Sequence, residues 1–221
     1  MKKNIILFCG IALLAPIQAM ASPTASWTNW TSASAGSFIQ NGNTINVTYT
    51  GSPVTVDYSS YIYDHPASFT NAAITNTPES NGTLVMVGGT STVNNFHFSQ
   101  AVINPLIDLF SVGQSSVPVS FNFLNNPIFS ILSQGAGHWA GGTLVQSGNS
   151  VTGAEGNGLL QFTGSYTDIA FTTPNYEYYY GATVGAPTSA VSAVPVPGAI
   201  WLMLSGLIGV LSLNRRKSAV V

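Results

Sequence analysis

Glu155 and Glu177 are the acids best suited to act as a pair. Two carboxylates flanking a sugar are the machinery of glycoside hydrolysis: one donates a proton, the other attacks or activates water. Many jelly-roll hydrolases carry two such Glu residues on adjacent strands. Glu155 lies in Gly153-Ala154-Glu155-Gly156-Asn157-Gly158, which reads as a turn, and Glu177 lies in Asn175-Tyr176-Glu177-Tyr178-Tyr179-Tyr180. A solvated or turn-capping acid accounts for either position as well. Carbohydrate binding without hydrolysis asks for less: aromatic faces against the C–H side of a sugar, with amide and carboxylate groups for its hydroxyls. Trp139, on the Gly-rich stretch Gly137-His138-Trp139-Ala140-Gly141, supplies these groups together with Asn175, Tyr176, Glu177 and Tyr178. Against this stands the ordinary use of aromatics as core, with every alternate tyrosine of a strand pointing inward.

Other chemistry finds little support. Asp64-His65 is an acid beside a histidine, but neighbours in a strand point to opposite faces. In a loop the pair would cap a turn, as Asp before x-Pro favours. His65, His97 and His138 are scattered, so their spacing assigns no metal site. No G-x-S-x-G, H-E-x-x-H, Walker or C-x-x-C sequence is present. The sequence therefore predicts no enzyme, no catalytic residue and no cofactor. Calcium, held by Asp, Glu and carbonyl oxygens, fits an acidic exported domain, though there is no D-x-D-x-D-G loop.

Charge narrows the partners. All five Lys and Arg lie at the chain ends, as Lys2, Lys3, Arg215, Arg216 and Lys217. All seven acids lie between them: Asp57, Asp64, Glu79, Asp108, Glu155, Asp168 and Glu177. Seven acids and no bases give the middle of the chain a charge near −7 with neutral histidines, against −2 for the whole. Nucleic-acid binding needs Lys or Arg against phosphate, and none is available there. Neutral, hydroxyl-rich partners and cations remain. The only cysteine is Cys9, so the middle of the chain has no disulfide and depends on its core.

The elements that would position these residues read as strands. Phe38 to Tyr49 predicts a hairpin turning at Asn41-Gly42, where positive φ suits a type I′ turn. Ile45, Val47 and Tyr49 alternate with Thr44, Asn46 and Thr48, the mark of a half-buried strand. Val54-Thr55-Val56 and Tyr58 to Tyr63 continue in β-like composition, and Asp64 to Pro78 predicts a long loop. Pro105 breaks the apolar run from Ile103 to Phe110. Residues 143–153 predict a second hairpin. About ten to twelve short strands between Gly, Asn and Pro turns predict an all-β sandwich or jelly-roll-like domain.

The ends carry address signals. Met1-Lys2-Lys3, an apolar run over Ile5–Ala15 and the small-residue site Ala19-Met20-Ala21 form a secretory signal peptide, cut by signal peptidase after Ala21. At the other end residues 198–213 are apolar and free of charge, followed by Arg215-Arg216-Lys217. At 1.5 Å per residue they span about 24 Å, short of a hydrocarbon core of about 30 Å. Local thinning and snorkelling bases permit insertion as a single transmembrane helix. The positive-inside rule puts the bases in the cytoplasm and the β domain outside. Trp201 suits the outer interface, and Ser205, Gly206 and Gly209 give the helix a close-packing face.

Val194-Pro195-Val196-Pro197, Trp201-Leu202, Ser205-Gly206-Leu207-Ile208-Gly209 and Arg215-Arg216-Lys217, in that order, resemble the PEP-CTERM sorting signal, also called the ice-binding protein C-terminal motif. Val196 stands where the family usually has Glu, as in its VPLP-like variants. The resemblance covers roughly 24 residues. It implies recognition by an exosortase-type membrane protease, removal of the tail, and release or transfer to the cell surface. A weaker resemblance to the bodies of such proteins, from Ile103 through Phe162, brings no assigned activity. The expected layout is a signal peptide (1–21), an extracytoplasmic β domain (22–184), a small-residue linker (185–194) and the sorting signal (194–217). The expected role is structural or adhesive, at the cell surface or in an extracellular matrix rich in exopolysaccharide. Carbohydrate binding and, behind it, secreted glycoside hydrolysis are the alternatives.

Overall fold

A computed structural model describes residues 23–139 and 141–188. The signal peptide, the sorting signal and the transmembrane helix expected at 198–213 lie outside the described residues. Within the described residues no helix is long and apolar enough to cross a membrane.

Fifteen strands make up the described fold: β1 (Ala25–Trp27), β2 (Asn29–Ser32), β3 (Ala35–Gln40), β4 (Asn43–Thr50), β5 (Val54–Asp57), β6 (Thr83–Met86), β7 (Thr90–Ile103), β8 (Leu106–Val112), β9 (Val119–Phe123), β10 (Phe129–Gly135), β11 (Leu144–Ser147), β12 (Ser150–Gly153), β13 (Gly156–Phe162), β14 (Ser165–Thr173) and β15 (Tyr180–Pro187). They form two antiparallel sheets. The first runs β10-β13-β8-β15-β6-β5, with β1 added beside β15, and the second runs β11-β12-β9-β14-β7-β4-β3-β2. One apolar cluster draws on both, with Ile107, Leu160, Val184 and Leu84 from the first sheet meeting Phe96, Phe121, Phe171 and Val47 from the second. The described residues are mostly β, as the pattern of short strands and turns predicts.

Local signals explain much of this. Asn41 and Gly42 both adopt positive φ, 53° and 78°, and close the β3–β4 hairpin. Ile45, Val47 and Tyr49 point into the core while Thr44, Asn46 and Thr48 face solvent. Asn104-Pro105 does more than interrupt a strand. It carries the chain from β7 in the second sheet to β8 in the first.

The expectations fail in two places. Tyr58 to Tyr63 does not continue as strand, because Asp57 Oδ1 accepts the Ser59 N–H at 2.7 Å and the chain turns into a 3₁₀ segment at Ser60–Tyr63. The segment from Tyr58 to Gly82, which also holds short 3₁₀ turns at Pro66–Ser68 and Glu79–Asn81, then covers the outer face of the first sheet. Ile62, Tyr63 and Phe69 pack on Phe110, and Ile74 packs with Leu106, Leu159 and Trp27. Strand β8 is consequently buried on both faces. The linker expected from 185 also begins too early. Residues 185–187 complete β15, paired with β1. A Cβ at Gly185 would stand 2.5 Å from the Ser26 carbonyl and 2.8 Å from the Trp27 ring. The small residue there is a packing requirement that composition alone reads as a linker.

Candidate functional site

The C-terminal end of β8 and the N-terminal ends of β13 and β15 meet, because β8 pairs antiparallel with both. The loops leaving them enclose a cavity of about 320 Å³. Its walls are Ser111 near the end of β8, Gln114 just after it, Trp139 from the β10–β11 loop, Glu155 from the β12–β13 turn, and Glu177, Tyr178 and Tyr179 before β15.

A bulge forms one wall. The β13–β8 register passes from Gly156↔Val112 to Gly158↔Leu109, so β8 carries an extra residue there. Ser111 takes φ 51° and Glu155 takes φ 59°. Left-handed backbone at two non-glycine residues is held in place by their neighbours. Ser111 Oγ donates to Glu155 Oε2 at 2.8 Å, and the Ser111 N–H donates to Asn157 Oδ1 at 2.8 Å. Asn157 Nδ2 in turn donates to the Glu155 carbonyl at 3.0 Å.

Glu177 forms the floor and is only 2% exposed. Its Oε1 accepts from Gln114 Nε2 at 3.2 Å and from the Tyr179 N–H at 3.4 Å. Its Oε2 is buried and has no hydrogen-bond partner. Burial, with a further contribution from the charge of Glu177, pushes the neighbouring Tyr180 phenol up to about 12.

Aromatic rings form the remaining wall. Trp139 is half exposed and meets Tyr179 edge to face, with centroids 4.8 Å apart, and Phe110 at 5.2 Å. Behind it, Tyr179 and Tyr61 both donate to Asp57 Oδ2, at 2.5 and 2.9 Å. Burial pushes the Asp57 carboxyl up, but hydrogen bonds from Ser59, Tyr179 and Tyr61 outweigh it and hold the group below the usual carboxylate range. The Tyr179 phenol is pushed far up, first by burial and then by its bond to Asp57.

The Trp139 loop is tied to the 3₁₀ segment. Asp64 accepts His138 Nδ1 at Oδ2 and His65 Nδ1 at Oδ1, both at 2.6 Å. These bonds, that of His138 first, hold the Asp64 carboxyl below its ordinary value. Asp64 is thus a clamp between His65 and the cavity loop. His97 lies elsewhere, on the outer face of the second sheet, 2.9 Å from Asp168. Among the described residues no group of three or more His, Cys, Asp or Glu is placed to hold a metal ion.

Of the residues singled out for sugar binding, Trp139, Glu177 and Tyr178 share the cavity, and Glu155 of the acid pair joins them. Asn175 does not: its Oδ1 accepts the Ser120 N–H at 3.1 Å and docks the loop on β9. Tyr176 is exposed and packs beside Gly89, away from the cavity lining. Sequence reasoning missed Ser111 and Gln114. Ser111 carried a signal, since with Asp108 it interrupts the otherwise apolar run Leu106–Val112.

Fold and site define the class: an all-β domain of two sheets with an acidic, aromatic cavity at the loop end. Beyond that class, the chain matches no protein-family model, no curated protein and no solved structure.

Proposed function

We propose that the chain is an exported cell-surface or extracellular-matrix protein whose β domain binds carbohydrate of an exopolysaccharide-rich envelope. The observation that carries this reading is the convergence of Trp139, Tyr178, Glu177 and Gln114 on one cavity from three separate loops. Half-exposed Trp139 offers a ring face to the C–H side of a sugar, and the amide and carboxylates accept or donate to its hydroxyls. The cavity sits at the small end of the range of about 300–1,000 Å³ found for small-molecule sites, which suits a short segment of a chain rather than a long groove. The scaffold, in this reading, is a sandwich whose strands cross between sheets as in jelly-roll-like modules.

The address belongs to the same proposal. Signal peptidase removes residues 1–21, the tail holds the chain in the inner membrane, and an exosortase-type protease acting near Val194-Pro195-Val196-Pro197 releases it to the surface. The test is retention of the full chain, in mild detergent, on polysaccharide from the cells that make it, with calcium and with chelator. Saturable retention that falls at least tenfold in Trp139→Ala supports the proposal. Equal retention of protein and variant refutes it.

A second reading rests on Glu155 and Glu177 lining the same cavity, as a secreted glycoside hydrolase would require. Both acids are already engaged, Glu155 by Ser111 and Glu177 by Gln114, which favours binding over catalysis. Release of reducing ends from the same polysaccharide, abolished by Glu155→Gln and by Glu177→Gln, would decide for hydrolysis.

A further inference from the structure

We infer that this cavity selects its glycan through a positively charged amine, so that its ligand is a polysaccharide carrying free, unacetylated hexosamine units. The inference rests on the glycan-binding reading and names the group that the cavity reads.

The first observation is Glu177 Oε2. It is a buried acceptor with no partner, on a residue that lines the cavity. A buried carboxylate oxygen without a donor is costly to keep, and a ligand N–H would supply one where the Glu177 carboxylate turns Oε2 toward the cavity that the residue lines. The second observation is the company it keeps. Trp139, Tyr178 and Tyr179 form the aromatic wall, Glu155 is the other charged group, and the domain contains no Lys or Arg to compensate either acid. Aromatic faces attract an ammonium group through the ring quadrupole, and more strongly when it is partly desolvated. An N–H⁺ donor to a carboxylate makes a hydrogen bond roughly twice as strong as a neutral one. An N-acetyl group presents neither charge.

A calcium ion fits less well. It takes about six to eight oxygens, whereas Ser111 and Gln114 already occupy one oxygen of each carboxylate here. An ammonium group needs only a few acceptors, and Glu177 Oε2 is a free one.

The test measures binding of the full chain in mild detergent at one mildly acidic pH by calorimetry, with three probes. These are a β-1,4-linked glucosamine hexamer, the same hexamer fully N-acetylated, and ethylammonium as an N–H⁺ group without a sugar. The free-amine hexamer is expected to bind at least about tenfold more tightly than the acetylated one. Glu177→Gln is expected to abolish that preference. Asp168→Asn, which removes the same charge from the far face of the second sheet, is expected to leave it intact. Competition by ethylammonium supports the ammonium assignment, and no competition up to saturating ethylammonium counts against it. Equal binding of the two hexamers overturns the inference and leaves the glycan reading standing. Binding of neither hexamer sinks both. A preference that survives Glu177→Gln, or that disappears in Asp168→Asn, makes it an effect of overall charge and refutes the site.

Discussion

Asp108→Asn should make the protein more stable as pH rises. Asp108 lies on β8 between Leu106 and Phe110, opposite Leu159 on β13 and Thr183 on β15, under the covering segment. It is 2% exposed and neither carboxylate oxygen makes a hydrogen bond of ordinary geometry. Burial pushes its pKa well above the usual range, and the nearby Leu109 amide offsets only part of that. The folded protein thus keeps a proton that the unfolded chain loses at its ordinary carboxylate value. Between the two values the unfolded state binds fewer protons, so stability must fall with rising pH, by about 1.4 kcal/mol per unit for one group. It is complete below the unfolded value and declines up to the folded one. For a domain of about 150–250 residues 1 kcal/mol moves Tm by about 2–4 °C, so the slope is about 3–6 °C per pH unit. The asparagine keeps the shape and lacks the proton.

The assay is a set of thermal melts of protein and variant by circular dichroism between about pH 5 and pH 8, read as the difference between the two. Subtraction removes the histidines and every other group common to both. The expected result is a difference in Tm that grows with pH in favour of Asp108→Asn. Parallel curves would refute the reasoning, because they would mean that Asp108 ionises in the folded protein with no more difficulty than in the unfolded chain.

Two further outcomes follow from the same structure, and a third from the proposed sorting signal. Asp57 is held below the usual carboxylate range, so its contribution is present above its unfolded value and lost as pH falls through the folded one; Asp57→Asn should flatten the acid limb of the melting profile below about pH 4. Gly142→Ala should destabilise by about 1–3 kcal/mol, read as a lower Tm, since the new Cβ would collide with the carbonyls of Ala154 and Glu155 and displace the Glu155 turn. On the proposed sorting of the chain, replacing Arg215, Arg216 and Lys217 together by Gln should block removal of the tail in cells that express the protein, and mass spectrometry would show the full mass retained.

Strands whose two faces differ were legible in the sequence. Ile45, Val47 and Tyr49 announce β4, and Asn41-Gly42 announces its turn, because each signal is local. Strand β8 was harder, since Leu106–Val112 is buried on one side by the second sheet and on the other by a segment distant in the chain. The stretch Tyr58–Tyr63 has strand composition but is captured by the Asp57 side chain, a competition that composition does not register. In the site, Trp139 and Tyr178 stood out by residue type and Glu155 and Glu177 by charge. Their meeting could not be read, because they come from loops whose proximity is fixed by the pairing of β8 with β13 and β15. Asn175 looked equally suitable and went instead to the Ser120 backbone.

A domain without lysine or arginine must settle each acid by other means, and the means differ in a way that separates structure from function. Asp64 and Asp168 take histidines, whose ring nitrogens lie 2.6 to 2.9 Å from the carboxylate oxygens. Asp57 takes phenols and a backbone amide. Asp108, sealed beneath Tyr63 and Phe110 where no ligand reaches, takes a proton. Glu155 takes a serine held in left-handed backbone. Glu177 alone combines a buried, unpartnered oxygen with a place on a cavity wall. Proton capture relieves a buried acid wherever it sits, but only an acid that borders an opening can be relieved by something arriving from outside. On the proposed reading, that difference puts the ligand's positive end at Glu177 rather than at Asp57, Asp64, Asp108, Glu155 or Asp168.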